Sequence, residues 1–359
     1  MRIIEKNTNN GYEQVVYGLD PSAGYVGIIA IHSTALGPAV GGARFWNYAS
    51  EEEALKDALR LARGMTYKNA LAGLPFGGGK SIIIGDNKTA NRELIFRAHG
   101  RFVDTLNGRY ITAEDVGTST DDMEYVRLET DHVAGLAGKS GDPSPVTAHG
   151  VFRAIQASAK HRWTSAELSG KTVAVQGCGH VGYYLARELR GAGAKLIVTD
   201  LDAARVKRVV EEFKATAVEP EGIFEAPAEI FAPCALGGII NDQTIPLFKF
   251  EIIAGAANNQ LLEARHADAL AERNILYAPD YVANAGGIIN GCIELLGWER
   301  SRALKKVNDI YDTVLSILKS AEAEGITTSK SADRLAERRI NAAGNSKAHH
   351  LSNSKIYRH

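Results

Sequence analysis

The chain has 359 residues, of which 45% are hydrophobic and 23% charged, and its formal net charge is −1. This length favours two domains, and the near-neutral charge excludes a global basic surface of the kind that recruits nucleic acid or an anionic membrane. No apolar run approaches the roughly 20 residues that span a bilayer, and the first residues lack the apolar core of a secretory signal, so we expect a cytoplasmic protein with no membrane partner. The three cysteines are too few and too scattered to predict a disulfide framework or a metal site.

The N-terminal part of the chain predicts a mixture of strands and helices. Residues 10–48 contain short runs of β-branched and aromatic residues that are typical of strands. Ser50 and Glu53 have the spacing of a capping box, and the apolar pattern that follows predicts a helix ending near Arg63. Three further elements are expected in this part: a buried strand at 81–84, a helix at 91–106 and a strand at 110–115.

The pattern changes after residues 137–145, a Gly/Pro/Ser-rich stretch that we predict to be a hinge. Strands then alternate with helices, which indicates a doubly wound parallel sheet. After about residue 342 the sequence is polar, and we expect a loosely ordered tail there. The strands are expected at 171–176, 194–199, 229–234, 252–256 and 275–278, and the helices at 147–162, 180–190, 202–213 and 299–323.

Three adjacent glycines precede Lys80, and this is the most informative motif of the first part. The glycines would let the backbone close on a small ligand and pack around the lysine. If Lys80 lies beside Lys68 in a partly dry pocket, burial and like charge both lower its pKa, so that its amine can act as a base. Asp115 ends a predicted strand, where ligands commonly bind. The alternatives are that both lysines are solvated surface residues and that Asp115 caps a helix.

A second motif, G-x-G-x-x-G at residues 177–182, follows a predicted strand and opens a predicted helix. Its glycines would allow a tight turn, close approach of a pyrophosphate to the helix N-terminus and close helix–strand packing. An acid at the end of the next strand would bind the adenosine ribose and repel a 2′-phosphate, which favours NAD over NADP, although Arg205 lies nearby. The alternative is an ordinary tight turn. The predicted cofactor residues here are Gly177, Gly179, His180, Val181, Gly182 and Asp200.

With these motifs in place, the chain resembles the amino-acid dehydrogenases that act on glutamate, leucine, phenylalanine and valine, and most closely the leucine dehydrogenase branch. The resemblance covers about residues 10–342. It rests on eight segments in the same order, at 36–44, 63–68, 77–80, 108–115, 143–147, 232–238, 254–260 and 278–287.

The resemblance implies a fold of two α/β domains separated by a cleft. Residues 1–136 would form a mixed-sheet domain for substrate binding and oligomerisation, to which residues 325–359 return. Residues 137–324 would form a Rossmann domain with a doubly wound parallel sheet that binds NAD. Relatives in this family form symmetric oligomers, often octamers, so a homo-oligomer is expected. The implied reaction is the reversible, NAD-dependent oxidative deamination of an apolar L-amino acid to a 2-oxo acid and ammonia.

The resemblance also implies the roles of individual residues. Lys80 would be the catalytic base, Asp115 the proton shuttle paired with it, and Lys68 the group that binds the substrate α-carboxylate. The carboxylate end of the pocket would be completed by Gly41, Gly42, Met65 and Asn259, and the nicotinamide side would be lined by Thr147, Asn258 and Asn284.

The wall of the pocket for the substrate side chain is expected to consist of Val40, Ala113, Ile288 and Gly291. The glutamate branch has a lysine and a serine at the positions of Val40 and Gly291, and without them a buried glutamate side chain would be unpaired at roughly several kcal/mol, so glutamate is disfavoured. Leucine, valine and isoleucine are expected. Gly291 opens space that admits phenylalanine or tryptophan, the first alternative, whereas Ile288 argues against it.

Two other classes of function remain to be weighed. A catalytically silent NAD-binding sensor has no need of a base, so Lys80 argues against it. Hydride transfer from a hydroxy acid would call for a histidine base, and no histidine of the sequence is well placed for that role. Arg44 is interpreted as a structural residue.

Overall fold

The computed structural model describes residues 11–345. Most of the predicted polar tail and the first ten residues lie outside this range. The packing of the backbone divides the chain into two units. The first comprises Met1–Gly141, Gly291–Glu299 and Ala336–His359, and the second Asp142–Asn290 and Arg300–Leu335. Within the described range, no helix is long and apolar enough to cross a membrane.

The units differ from the predicted domain limits in three places, of which the first is residues 137–141, which group with the first unit. Residues 291–299 group with the first unit and residues 325–335 with the second, whereas the sequence assigned both segments to the other domain. The division after Gly141 falls inside the stretch at 137–145. The hinge itself and the roles of the two domains stay predictions.

The first unit contains a mixed five-stranded sheet, in the order β1-β2-β4-β3-β5. β2 runs antiparallel to β1 and β4, whereas β3 runs parallel to both β4 and β5. Its strands are β1 (Gln14–Asp20), β2 (Tyr25–Ser33), β3 (Ala39–Trp46), β4 (Gly77–Ile84) and β5 (Tyr110–Glu114), and its helices before the second unit are α1 (Glu51–Leu71), α2 (Arg92–Asp104) and α3 (Thr120–Arg127). The predicted mixed-sheet α/β fold is confirmed.

Helix α1 is longer than predicted. Ser50 accepts a hydrogen bond from the Glu53 amide at 3.2 Å, as the sequence pattern indicates, but the helix does not end near Arg63. Its buried face continues through Tyr67 and Leu71, so packing outweighs the weak helix propensity of the intervening glycine. Arg339 then donates to the carbonyl oxygens of Ala70 and Leu71 at 3.0 and 2.8 Å, and so caps the C-terminal end of the helix.

The second unit contains six strands that are all parallel, in the order β11-β10-β9-β6-β7-β8. Numbered from β6 and read from the other edge, this is the 3-2-1-4-5-6 order of a Rossmann fold, so the doubly wound sheet is confirmed. The strands are β6 (Thr172–Gln176), β7 (Lys195–Thr199), β8 (Thr216–Ala217), β9 (Ile230–Pro233), β10 (Ile252–Ile253) and β11 (Leu276–Tyr277). The last two are shorter than predicted, and β8 was not predicted.

The remaining helices flank this sheet or follow it in the chain. The sequence did not predict a helix over the last of these, which spans Thr328–Asn345. The predicted start of the loosely ordered tail lies three residues before this helix ends. They are α4 (Ser144–Trp163), α5 (His180–Gly191), α6 (Ala203–Phe213), α7 (His266–Glu272), α8 (Asp280–Ala283), α9 (Gly286–Leu295), α10 (Arg300–Glu324) and α11 (Thr328–Asn345), with 3-10 turns at Glu221–Glu225 and Ile245–Leu247.

Candidate active site and cofactor site

The glycines before Lys80 belong to strand β4 and are buried. A Cβ atom on Gly78 would lie 2.0 Å from the amide nitrogen of Thr66 in α1, and one on Gly79 would lie 2.7 Å from the Tyr110 ring. Their absent side chains therefore let helix α1 and a neighbouring aromatic ring pack directly against β4. These glycines serve the packing that surrounds Lys80, as the motif predicts, and their closing on a ligand stays a prediction.

Lys80 and Asp115 meet through the order of the strands. β3 lies between β4, which carries Lys80, and β5, whose end is followed by Asp115. Lys80 is 4% exposed, and its Nζ lies 2.9 Å from Asp115 Oδ2. Helix α3 begins at Thr120 and is capped by Ser119, so Asp115 is not a helix cap. A buried lysine beside a carboxylate is an arrangement suited to proton transfer.

The electrostatic surroundings shift the pKa of both groups. Burial lowers the pKa of Lys80, the Arg44 charge lowers it further, and the Asp115 carboxylate opposes both without restoring the ordinary value. Burial raises the pKa of Asp115, but the charges of Lys80 and Arg44 outweigh it, so that this pKa lies below its usual range. Asp115 therefore stays ionised at neutral pH, and Lys80 loses its proton more readily than an exposed lysine.

Arg44 was interpreted from the sequence as structural, yet it contacts the catalytic candidates directly. Its Nε donates to Asp115 Oδ2 at 2.9 Å, and its Nη1 donates to Asp57 Oδ2 at the same distance. The residue lies on β3, the strand between β4 and β5, and a knowledge of that strand order would have pointed to it. Sequence reasoning missed this contact because strand order within a mixed sheet is not encoded in local pattern.

The other predicted substrate residues of the first unit lie on β3, β5, α1 and α9. A Cβ on Gly41 would be 1.8 Å from the Gly79 carbonyl oxygen, and one on Gly42 would be 2.7 Å from Asp115 Cβ, so both positions require glycine. The structure thus brings these two glycines against Lys80's strand and Asp115. Val40 is buried on β3; Ala113 on β5, Met65 and Lys68 on α1, and Gly291 on α9 are half-buried.

The second motif forms the predicted turn between β6 and α5. Gly177 has φ +99°, a conformation that favours glycine, and a Cβ on Gly182 would lie 1.9 Å from the Gly177 carbonyl oxygen. At Gly179, the N-cap of α5, the nearest atom to a Cβ would be Arg205 Nη1 at 3.8 Å, so this side of the turn is open. His180 is exposed and Val181 half-buried on the first turn of α5.

Asp200 stands at the end of β7 and is tied to the glycine turn. Its Oδ2 accepts a hydrogen bond from the Cys178 amide at 2.6 Å, and its Oδ1 accepts one from the Asp202 amide at 2.9 Å. Each carboxylate oxygen has a further lone pair, so Asp200 retains the capacity to accept bonds from a diol. The carboxylate therefore lies beside the open helix N-terminus, as the motif predicts.

Further predicted cofactor residues cluster in the second unit. Asn284 Nδ2 donates to Ala256 O at 3.0 Å and to Asn258 Oδ1 at 2.8 Å, whereas its buried Oδ1 has no hydrogen-bond partner within residues 11–345. Thr147 Oγ1 donates to Pro143 O at 2.9 Å, and a Cβ on Gly287 would lie 3.3 Å from that Oγ1.

The two remaining predicted positions of this unit lie apart in the sequence. Asn259 has a positive φ of 53°, and its carbonyl oxygen accepts a bond from the Gly238 amide at 2.7 Å. Ile288 is half-buried on α9.

The next groups are those that a metal ion, a thiol nucleophile or a histidine base would require. Across residues 11–345, no cluster of three or more His, Cys, Asp or Glu side chains could hold a metal ion. The cysteines are free thiols, and burial raises the pKa of both Cys178 and Cys234 to about 12. His99 is fully buried, and burial lowers its pKa to about 3, so that it stays neutral. Neither group has the reactivity of a nucleophile or base at neutral pH.

Comparison with known proteins places the chain in a family. Residues 18–132 match the model of the Glu/Leu/Phe/Val dehydrogenase dimerisation domain, and residues 138–204 and 198–347 match the Glutamate/Leucine/Phenylalanine/Valine dehydrogenase model. The chain is 56% identical over 356 residues to leucine dehydrogenase of Geobacillus stearothermophilus, covering 98% of this chain and 97% of that one. With leucine dehydrogenase of Bacillus cereus the identity is 54%, with the same two coverages.

A solved structure matches at the level of the whole fold. The crystal structure of L-tryptophan dehydrogenase from Nostoc punctiforme superposes with a TM-score of 0.86 at 47% identity, covering 95% of this chain and 99% of that one. Both the family models and these relatives span nearly the full chain. The chain belongs to the Glu/Leu/Phe/Val dehydrogenase family and is an amino-acid dehydrogenase.

Proposed function

We propose that the protein catalyses the reversible, NAD-dependent oxidative deamination of a branched-chain L-amino acid. One amino acid, one NAD⁺ and one water give one 2-oxo acid, one ammonium ion, one NADH and one proton. The observation that carries the proposal is the buried Lys80–Asp115 pair, with Nζ and Oδ2 2.9 Å apart. The names of relatives that are 54–56% identical support leucine as the substrate, and valine and isoleucine have similarly branched aliphatic side chains.

The residues of the glycine turn fit NAD. The helix N-terminus at Gly179 is open to a pyrophosphate, and Asp200 stands where the adenosine ribose would need an acceptor. Its negative charge would repel a 2′-phosphate, which supports NAD over NADP. Asn284 Oδ1, which has no hydrogen-bond partner in the described part of the chain, is a buried acceptor that the amide of a nicotinamide would satisfy. Gly177, His180, Val181, Gly182, Thr147 and Asn258 are proposed to complete this site.

The chemistry that NAD supplies when bound is acceptance of a hydride from the substrate Cα. The chain's own residues then handle protons. Lys80 Nζ, whose pKa is lowered by burial, takes a proton in its neutral form from the water that adds to the imino acid. The ionised Asp115 carboxylate takes a proton from the substrate ammonium group before the hydride leaves and returns it to the departing ammonia. Lys68 is proposed to hold the substrate α-carboxylate.

The pocket for the substrate side chain is proposed to depend on four residues, namely Val40, Ala113, Ile288 and Gly291, while Gly41, Gly42, Met65 and Asn259 complete the carboxylate end. An apolar wall of this kind supports an apolar substrate over glutamate, whose carboxylate would be buried unpaired. The alternative substrate is aromatic. It is favoured by the space at Gly291 and by the 47% identity to an L-tryptophan dehydrogenase.

We also propose a homo-oligomer, with eight subunits implied by the sequence resemblance. Support comes from the description of the matching N-terminal model as a dimerisation domain. The first unit is then the substrate-binding and oligomerisation domain, and the second the NAD domain. A cytoplasmic location remains a prediction from the sequence.

The stoichiometry of the products tests the proposed function. With L-leucine and NAD, we expect NADH, ammonium and 4-methyl-2-oxopentanoate in equal amounts, and none of them with D-leucine as a matched control. NADH formed without ammonium would contradict deamination. Thermal stabilisation by NADH with no turnover of any amino acid would instead identify a catalytically silent NAD-binding protein.

A further inference from the structure

Arg44 connects the Lys80–Asp115 pair to a second carboxylate in helix α1. Its Nε and Nη1 atoms reach Asp115 Oδ2 and Asp57 Oδ2, both at 2.9 Å, and its side chain is 19% exposed. Asp57 is itself held from two further sides, by the Tyr48 hydroxyl at 2.7 Å on Oδ2 and by Arg60 Nη2 at 2.8 Å on Oδ1. The guanidinium is therefore held by two carboxylates. One is Asp57, which is itself anchored, and the other is Asp115, the proposed proton shuttle.

Both cations that contact Asp115 approach the same oxygen. Lys80 Nζ and Arg44 Nε each lie 2.9 Å from Oδ2. With Oδ2 held in this way, the carboxylate cannot rotate about its Cβ–Cγ bond without breaking two charged contacts, and Oδ1 is directed away from them. We propose that Arg44 is a positioning residue, which fixes the Asp115 carboxylate through Oδ2 so that Oδ1 exchanges the proton with ammonia. This inference rests on the proposed function.

Arginine suits this role because its guanidinium is planar and presents several N–H groups in a rigid fork. One face of the fork binds Asp115 and another binds Asp57, a double contact that an ammonium group on a flexible stem does not reproduce. A purely structural ion pair would not need to end on the oxygen that also binds the buried lysine.

Arg44 also acts on the protonation of Lys80. The charged and titratable groups around the pair include Arg44 itself, Asp57 and Arg60 on α1, Tyr48 after β3 and the buried Tyr110 on β5. The Arg44 charge lowers the pKa of Lys80, whereas the carboxylates of Asp115 and Asp57 raise it. If the Arg44 charge is removed, both carboxylates remain, so the pKa of Lys80 moves up and the amine becomes neutral only at higher pH.

Three variants separate positioning from folding. Arg44→Met removes charge and fork, Arg44→Lys keeps the charge but loses the fork, and Arg101→Gln, the matched control, removes an exposed arginine of α2 that contacts Asp20 and Glu129. We expect Arg44→Met to lower kcat for leucine oxidation by about 100-fold, as misplaced catalytic groups do, with KM for leucine changed by less than about twofold. Its kcat–pH profile should move to higher pH. Arg44→Lys should restore the profile but only part of kcat, and Arg101→Gln should match the wild type.

The result that overturns the proposal is equally specific. If Arg44→Met lowers only the thermal unfolding temperature, or raises KM while the pH profile and kcat stay unchanged, Arg44 is structural. Absence of turnover in the wild type would contradict the proposed function instead. In that case the pH dependence of Lys80 acetylation by acetic anhydride, read by mass spectrometry, still decides the inference. The inference is supported if the pH at which Lys80 acetylation is half-maximal is higher in Arg44→Met than in the wild type, and it is overturned if this pH is unchanged.

Discussion

Replacing Lys80 with alanine is expected to lower kcat for leucine oxidation by about 10²- to 10⁴-fold, the range that general acid–base groups contribute. The lysine is buried, and its lowered pKa makes it the group of the first unit best prepared to remove a proton from water. The variant should fold, because Asp115 keeps its contact with Arg44 at 2.9 Å and is not left as an unpaired buried charge. Initial rates of NADH formation at alkaline pH measure the loss.

NADH affinity provides the internal check on this variant. Because the proposed NAD residues belong to the second unit, the dissociation constant of NADH, measured by fluorescence, should equal that of the wild type. Lys56→Ala, an exposed lysine of α1, is the matched control and should retain full kcat. Turnover that survives in Lys80→Ala would remove Lys80 as the base.

The second large effect concerns stability. Gly78→Ala is expected to lower the free energy of unfolding by about 3 kcal/mol, at the upper end of the range for overpacked cores. The added Cβ would lie 2.0 Å from the Thr66 amide nitrogen, and a backbone atom cannot move aside as the end of a flexible side chain can. Helix α1 would have to shift away from β4, and Lys68 shifts with it. Urea unfolding measures the difference.

Gly64→Ala is the matched control for this substitution. Gly64 lies within the same helix, and a Cβ there meets no atom within 4 Å. Alanine should therefore raise the free energy of unfolding by up to about 1 kcal/mol through helix propensity. Equal stability of Gly78→Ala and the wild type would show that the close packing of α1 on β4 is not required.

Much of the fold follows from local sequence pattern. Alternating strands and helices after residue 170 predict the parallel sheet, because the hydrophobic runs and turns are clear and the glycine motif marks the first crossover. The strands of only two residues, such as Thr216–Ala217 and Ile252–Ile253, escape prediction or are drawn too long. A run of two residues shows no hydrophobic periodicity. Such a strand is recognised only by its backbone pairing with the neighbouring strand.

The site is predicted unevenly for a related reason. The sequence predicts Lys80, Asp115 and Asp200 as site residues because each lies in a motif with its own chemical meaning. It does not predict the contact of Arg44 with Asp115, because this contact depends on β3 lying between β4 and β5, a fact of tertiary structure. The sequence predicts close packing at the β4 glycines but not the packing partners, Thr66 and Tyr110, because these are distant in sequence.

Values of kcat/KM for one panel of substrates test whether the protein is an NAD-dependent dehydrogenase of branched-chain amino acids. The panel contains leucine, valine, isoleucine, phenylalanine, tryptophan and glutamate, each assayed with NAD and with NADP by absorbance of the reduced cofactor. We expect kcat/KM for the branched-chain set with NAD to exceed that for the aromatic pair by at least about tenfold, because apolar pockets discriminate by size, and we expect little turnover of glutamate or with NADP. A preference for phenylalanine or tryptophan, or for NADP, would contradict it.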